Sequence, residues 1–378
     1  MNLTQKKTPL AKLRQFVKYL VSCGIKTSEE YRAWTKEEAQ SKLLADYFDS
    51  DSKAPLCSLV NVFFHPEVDL LGLNYTPLAH NTLYKSQNGW TDPMRLCRGI
   101  IFDSKANLVF LGYEKFFNYG EHQETKDLPD CDFEAYVKED GHLGGIFQYG
   151  GSLHITTRGS FVSPTVEFAE QMLVDYAQKN NWRAKLSKDI CPVVEIIHPK
   201  TKVIVDYHGE EKFILTGAFN RRTLEDFSRE KLQALAAELG LPLIECWQGK
   251  SLAELKAFMQ DRSVRNREGF VVRFANGLRV KFKFVTYLRE MIRAKLSVSY
   301  ILNQAMNGSL AGKMDALDGE LTSFALNILS RVMVIMAQPI SVKEKRQKLY
   351  ELLSPEGDTP YDRQVCRNFV KAINASVA

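Results

Sequence analysis

Cysteine is thinly used and never paired. The seven cysteines, Cys23, Cys57, Cys97, Cys131, Cys191, Cys246 and Cys366, stand singly, with no Cys-x-x-Cys and no two histidines at ligand spacing. That argues against a zinc site or a disulfide framework and for a reducing, cytoplasmic compartment. A long apolar run is missing too. The most apolar stretch, residues 324–340, is interrupted by Asn327, Ser330, Arg331 and Gln338, so it reads as a buried helix rather than a membrane span. The first 24 residues carry charges too early and too often for a signal peptide. No internal repeat or low-complexity segment is visible. Nor does one sign of charge dominate. Fifty basic residues against 45 acidic ones leave +5, which permits a polyanionic partner without requiring one.

What is present is ordinary for a globular chain: 45% hydrophobic and 25% charged residues in 378 positions, enough for two or three domains. Residues 1–56 read as a helical extension, with Leu10, Leu13, Val17 and Leu20 at helical steps and a second helix opening at Thr27-Ser28-Glu29-Glu30. Residues 57–295 are strand-rich and punctuated by Gly, Asn and Pro. Residues 296–378 carry apolar side chains at helical spacing, which predicts an all-helical C-terminal domain.

Within the middle region one stretch organises the rest. Phe133, Ala135 and Val137 alternate with Glu134 and Tyr136, and this strand runs into Lys138-Glu139-Asp140-Gly141. Asp140-Gly141 is turn chemistry, with glycine free to take positive φ and aspartate able to bond its own backbone. Such a turn would set Lys138 at a cleft mouth. There it can act as a nucleophile if burial and neighbouring cations hold it deprotonated. A surface lysine before a common turn is the other reading of these four residues.

Further stretches weigh in. Cys97-Arg98-Gly99 precedes a buried strand, and Glu114-Lys115-Phe116-Phe117-Asn118 sets a lysine beside two aromatics; either fits a structural role. Gly150-Gly151 joins a hairpin that ends in Thr157-Arg158-Gly159-Ser160. Glu195 lies inside the apolar strand Val193 to Ile197, where a carboxylate is costly unless paired or ligand-bound. His198, before a proline, reads as structural. Asn276-Gly277 marks a second hairpin. A two-residue turn there would pair Val272 with Lys281 and Phe270 with Lys283. Glu268 and the row Arg279, Lys281, Lys283 would then share one face, suited to a metal-bound polyphosphate or to plain solvent.

In order and spacing, these segments resemble the motifs of the covalent nucleotidyltransferases: ATP-dependent RNA and DNA ligases and mRNA capping enzymes. Lys138-Glu139-Asp140-Gly141 resembles the nucleotide-attachment motif, and Thr157-Arg158-Gly159-Ser160, Glu195, Glu268-Gly269 and Lys281-Phe282-Lys283 resemble the four that follow it. Cys97-Arg98-Gly99 and Glu114 to Asn118 are similar to signatures of the phage T4 RNA ligase 1 branch, although Arg158 stands where that branch has lysine. The N-terminal arm is longer and the helical tail shorter than in that branch's phage enzyme.

The resemblance implies an α+β fold, an antiparallel-sheet nucleotidyltransferase (ATP-grasp-like ligase) domain with a helical C-terminal domain. It implies an ATP-dependent RNA ligase acting through lysyl-AMP and RNA-adenylate, with Mg²⁺ or alternatively Mn²⁺. Single-stranded RNA or nicked tRNA ends would be its partners in RNA repair, with no obligate protein partner, in a host cytoplasm if phage-encoded. Lys138 would be the nucleophile, with Lys281 and Lys283 catalytic at the α-phosphate. Arg98, Lys115, Phe117, Glu139, Gly141, Arg158, Glu195 and Glu268 would line the nucleotide site, and the two last would meet the metal. A DNA ligase, a capping-type enzyme and a non-catalytic RNA-binding protein of the same fold are the alternatives.

Overall fold

The computed structural model describes residues 3–34, 40–83, 89–249, 251–295, 297–308, 310, 319–353 and 360–377. The chain divides into two compact units, Met1–Phe284 and Val285–Ala378. The sequence predicts a boundary at residue 296 and a helical extension, residues 1–56, packed on residues 57–295. In the structure the helix Val285–Lys295 counts with the second unit, and the N-terminal helices count with the first. The reason is visible in the core. Leu10, Leu13, Val17 and Leu20 of the helix Leu3–Ser22 are buried in one cluster with Val60, Leu73, Ile101 and Phe117.

Three four-stranded sheets make up the first unit. β1 (Val60–Phe64), β2 (Leu70–Tyr75), β3 (Arg98–Asp103) and β4 (Leu108–Phe110) form an antiparallel sheet in that order. The other two contain β5 (Phe117–Asn118), β6 (Phe133–Lys138), β7 (His142–Tyr149), β8 (Ser152–Thr157), β9 (Ile190–Ile197), β10 (Lys212–Asn220), β11 (Gly269–Phe274) and β12 (Arg279–Lys283). The second sheet is ordered β10-β9-β7-β8 and the third β5-β12-β11-β6, antiparallel apart from β5 against β12. β6 and β7, consecutive in the chain, therefore lie in different sheets, and the Lys138 turn is the link between them. The helices Pro164–Asn180 and Arg229–Leu239 cover the second sheet through Ala169, Leu173, Leu232, Leu235 and Leu239. Ser163 and Ser228 cap their N-termini, and Gly240 (φ +64°) ends the latter. The Gly150-Gly151 hairpin forms as expected, with both glycines at positive φ and Tyr149 opposite Ser152.

The second hairpin differs from expectation. Its turn spans Ala275-Asn276-Gly277, closed by Phe274 N–H to Leu278 O at 2.9 Å, with Gly277 at φ +88°. Three turn residues instead of two shift the register by one, so Phe270 faces Phe282, Val271 faces Lys281 and Val272 faces Val280. Facing residues share a sheet face, so the expected register would have set lysines among buried Phe270 and Val272.

The second unit is helical: Val285–Lys295, Val298–Met306, Gly319–Ala337, Val342–Tyr350 and Pro360–Val377. Ile301, Leu302, Ile328, Val332, Cys366 and Val370 are among its buried side chains. No described helix is long and apolar enough to cross a membrane.

Candidate functional site

The register of the third sheet sets three rows across one face. Lys138, Gly269 and Lys283 form the first; Tyr136, Val271 and Lys281 the second; Glu134, Arg273 and Arg279 the third. A cavity of about 430 Å³ opens there, walled by residues of all three sheets, among them Lys138, Glu139, Gly141, Arg158, Glu195, Arg98 and Lys281.

The Lys138 turn is held from outside itself. Gly141 does not take positive φ; it is needed for close approach, since a Cβ would lie 2.4 Å from Ile196 O. Its N–H donates to Glu195 Oε1 at 3.1 Å. The Asp140 carboxylate, 5% exposed, accepts from the N–H groups of Ile204 (2.8 Å) and Val205 (2.7 Å). The Tyr207 hydroxyl accepts from Asp140 N–H and donates to Glu139 Oε2, both at 2.8 Å.

At the end of β6, the Lys138 ammonium donates to Glu268 Oε2 at 2.7 Å, and Lys283 Nζ lies 3.5 Å from Glu268 Oε1. The ion-pair partner of Lys138 is thus a carboxylate rather than one of the expected cations. It is Lys281 that the cations crowd. Burial first, then Lys115, Arg98 and Lys138, hold its ammonium well below the usual lysine range. Glu195 behaves oppositely: burial pushes its carboxyl up to about 7, against the pull of Lys138.

Around Lys281 the other cations gather. The Arg98 and Lys281 side chains lie over the Phe116 ring at 4.9 and 5.0 Å. Arg158 Nη1 donates to the Tyr75 hydroxyl at 3.0 Å. Arg98 Nε is buried and has no hydrogen-bond partner, a state that costs free energy until a ligand supplies an acceptor.

Two expected residues stand elsewhere. Phe117 is fully buried in the main core, stacked on His122 at 4.2 Å, and Phe116 takes its place at the cavity. Successive strand residues face opposite ways, so only one of the two phenylalanines could do so. Lys115 is 7% exposed, its Nζ 4.9–5.5 Å from the rings of Tyr75, Trp90 and Phe117. Glu268 and Lys283 stand behind the cavity wall, Glu268 against Lys138 and Lys283 against Glu268. His198, expected to be structural, stacks on Phe168 at 4.1 Å and faces Glu211.

Sequence reasoning missed Asn74, Phe116, Arg273 and Asp226 on the cavity wall, where Asp226 pairs with Arg273 and Arg279, and Tyr75 behind Arg158. A local signal exists only for Asn74-Tyr75, a polar pair ending an apolar strand; their partners lie too far along the chain to be read from it.

The sequence model of the RNA ligase family, T4 RNA ligase 1 branch, matches residues 96–288, just over half of the chain. The chain belongs to the RNA ligase family. The match contains the Lys138 turn, Arg158, Glu195, Glu268 and both lysines of β12. A candidate RNA ligase of Thermovibrio ammonificans is 32% identical over 187 residues, which is 46% of each chain, so this family member spans less than half of that relative. Among solved structures, an archaeal ATP-dependent RNA ligase is similar with a TM-score of 0.48 and 15% identity, covering 84% of this chain and 76% of that one. A Naegleria gruberi RNA ligase mutant solved with ATP and Mn has a TM-score of 0.36 and 14% identity, covering 42% of this chain and 51% of the other.

Proposed function

We propose that the protein is an ATP-dependent RNA ligase that joins 5′-phosphate and 3′-OH ends of single-stranded RNA, in RNA repair that includes nicked tRNA. The observation that carries this reading is the Lys138–Glu268 contact of 2.7 Å beside a cavity lined by Arg98, Arg158 and Lys281. An amine next to a proton acceptor, with cations gathered for phosphates, suits attack on phosphorus, a reaction that needs positioning and charge neutralisation above all.

In this reading Lys138 Nζ attacks the α-phosphorus of ATP. A P–N bond forms, the P–O bond to pyrophosphate breaks, and Glu268 stands ready for the amine proton. The RNA 5′-phosphate then takes the AMP from Lys138. Last, the 3′-OH of the second end attacks that 5′-phosphate and AMP leaves. Lys281 and Lys283 offset charge at the α-phosphate, while Arg98 and Arg158 face the outer phosphates. The packing of Lys115 and Phe117 gives them a supporting role behind the cavity.

The donor set fits a divalent cation that arrives with phosphates. No group of three His, Cys, Asp or Glu side chains able to hold a metal occurs among the described residues. Glu195 and Glu268 offer one carboxylate each, which suits Mg²⁺ or Mn²⁺ completing its shell with substrate oxygens and water. Bound there, the ion would neutralise phosphate charge.

Intact mass after incubation with ATP and Mg²⁺ tests the chemistry. One AMP on the wild type, mapped to Lys138 and missing from Lys138→Ala, is the expected result. A folded Lys138→Ala protein that labels fully, or a preference for GTP, would overturn the reading. Sealing of RNA against DNA strands then decides the acceptor.

A further inference from the structure

Tyr75 ends β2 and is 6% exposed. Cations from several chain segments meet on it. Its hydroxyl accepts from Arg158 Nη1 at 3.0 Å. Its ring carries Arg158 at 5.0 Å and Lys115 Nζ at 5.4 Å, and its edge contact with Trp90 (5.1 Å, 83°) fixes the ring plane. Like charges this close repel one another and splay apart unless a shared acceptor holds them. For Arg158 the phenol oxygen is that acceptor, and the ring faces Lys115. Burial alone would raise its pKa, yet Arg158, Lys115, Arg98 and Lys281 outweigh burial and hold it well below the usual tyrosine range. While Tyr75 holds Arg158, Arg98, which lines the cavity, keeps a buried Nε without a hydrogen-bond partner.

We propose that Tyr75 is the positioning residue of an oligophosphate cradle: by holding the Arg158 guanidinium on its hydroxyl and ring, beside Arg98, it aims Arg158 at the β- and γ-phosphates of the nucleoside triphosphate. The inference rests on the nucleotidyl-transfer reading above and adds a division of labour. Tyr75 serves the step that expels pyrophosphate and is dispensable for the final joining, in which no pyrophosphate takes part.

Tyr75→Phe keeps the ring and removes the acceptor. The KM for ATP in AMP labelling should rise about tenfold, with kcat within about threefold, the cost of one hydrogen bond to a charged group. Joining of chemically pre-adenylated RNA should change by less than about twofold, and calorimetric affinity for inorganic pyrophosphate should fall about tenfold while that for AMP holds. Tyr75→His, which keeps a ring acceptor, should bring the KM back to within about threefold of wild type. Parallel losses in labelling, joining and AMP affinity would make Tyr75 merely structural and overturn the proposal. So would a Tyr75→Phe protein equal to wild type in labelling and pyrophosphate binding. If the wild type binds pyrophosphate about tenfold more tightly than Tyr75→Phe but never labels, the cradle stands and the nucleotidyl-transfer reading falls.

Discussion

The two ends of the cavity solve opposite electrostatic problems. At the β6 end the charges are matched: Lys138 and Lys283 share the Glu268 carboxylate. At the β2–β3 end Arg98, Arg158, Lys115 and Lys281 gather about one phenol, and burial together with that crowding holds the Lys281 ammonium well below the usual lysine range. A matched set can wait without a ligand. A surplus of buried cations is costly until an anion arrives, because desolvated like charges repel. The matched end therefore suits chemistry, and the surplus end suits capture of phosphates.

That contrast can be broken residue by residue. The largest effect belongs to the matched end. Lys138→Ala should cut AMP labelling by more than about a thousandfold with the melting temperature within about 3 °C of wild type, as activity and calorimetry would read. At the surplus end, Arg98→Ala should raise the KM for ATP about thirtyfold and leave joining of pre-adenylated RNA nearly intact. Equal damage to both reactions would erase the proposed division between the ends.

Smaller effects sharpen the picture. Phe117→Ala should cost about 3–5 kcal/mol in denaturant unfolding. Phe116→Leu should cost under about 1.5 kcal/mol and instead weaken ATP binding, because the ring beneath Arg98 and Lys281 is lost. The finest test is a pH series on Glu195→Gln in metal-free buffer. The native Glu195 carboxyl sits near 7, above its unfolded value, so the wild type loses stability as pH rises from about 4.5 through 7. The variant carries no such loss. Its melting temperature relative to wild type should therefore climb by a few degrees, about 2–4 °C, between pH 5 and pH 8.

Local patterns carried much of this into view from the sequence. The strand alternation before Lys138, the Gly150-Gly151 turn, the helix caps and the isolated carboxylate Glu195 all rest on contacts or periodicities within a few residues. What stayed hidden is long-range or depends on parity. Which of Phe116 and Phe117 faces the cavity depends on how β5 joins β12. The β11–β12 register is legible in the apolar pattern, since burying Phe270, Val272, Val280 and Phe282 on one face requires the three-residue turn, whereas Asn276-Gly277 taken alone favours a two-residue one. Tyr75 meets Arg158 across 83 positions and Lys115 across 40, distances at which no local rule speaks.

The bonds from Asp140 to Ile204 and Val205 have a consequence for variation in the chain. They tie a residue two places from Lys138 to a loop some 64 positions later, one that contributes no expected site residue. An insertion or deletion between residues 202 and 207 would pull on the Lys138 turn. Surface loops ordinarily tolerate changes in length. This one is expected to keep its length for the sake of chemistry carried out elsewhere, and a library of loop lengths scored for AMP labelling would reveal that constraint where a stability screen would pass over it.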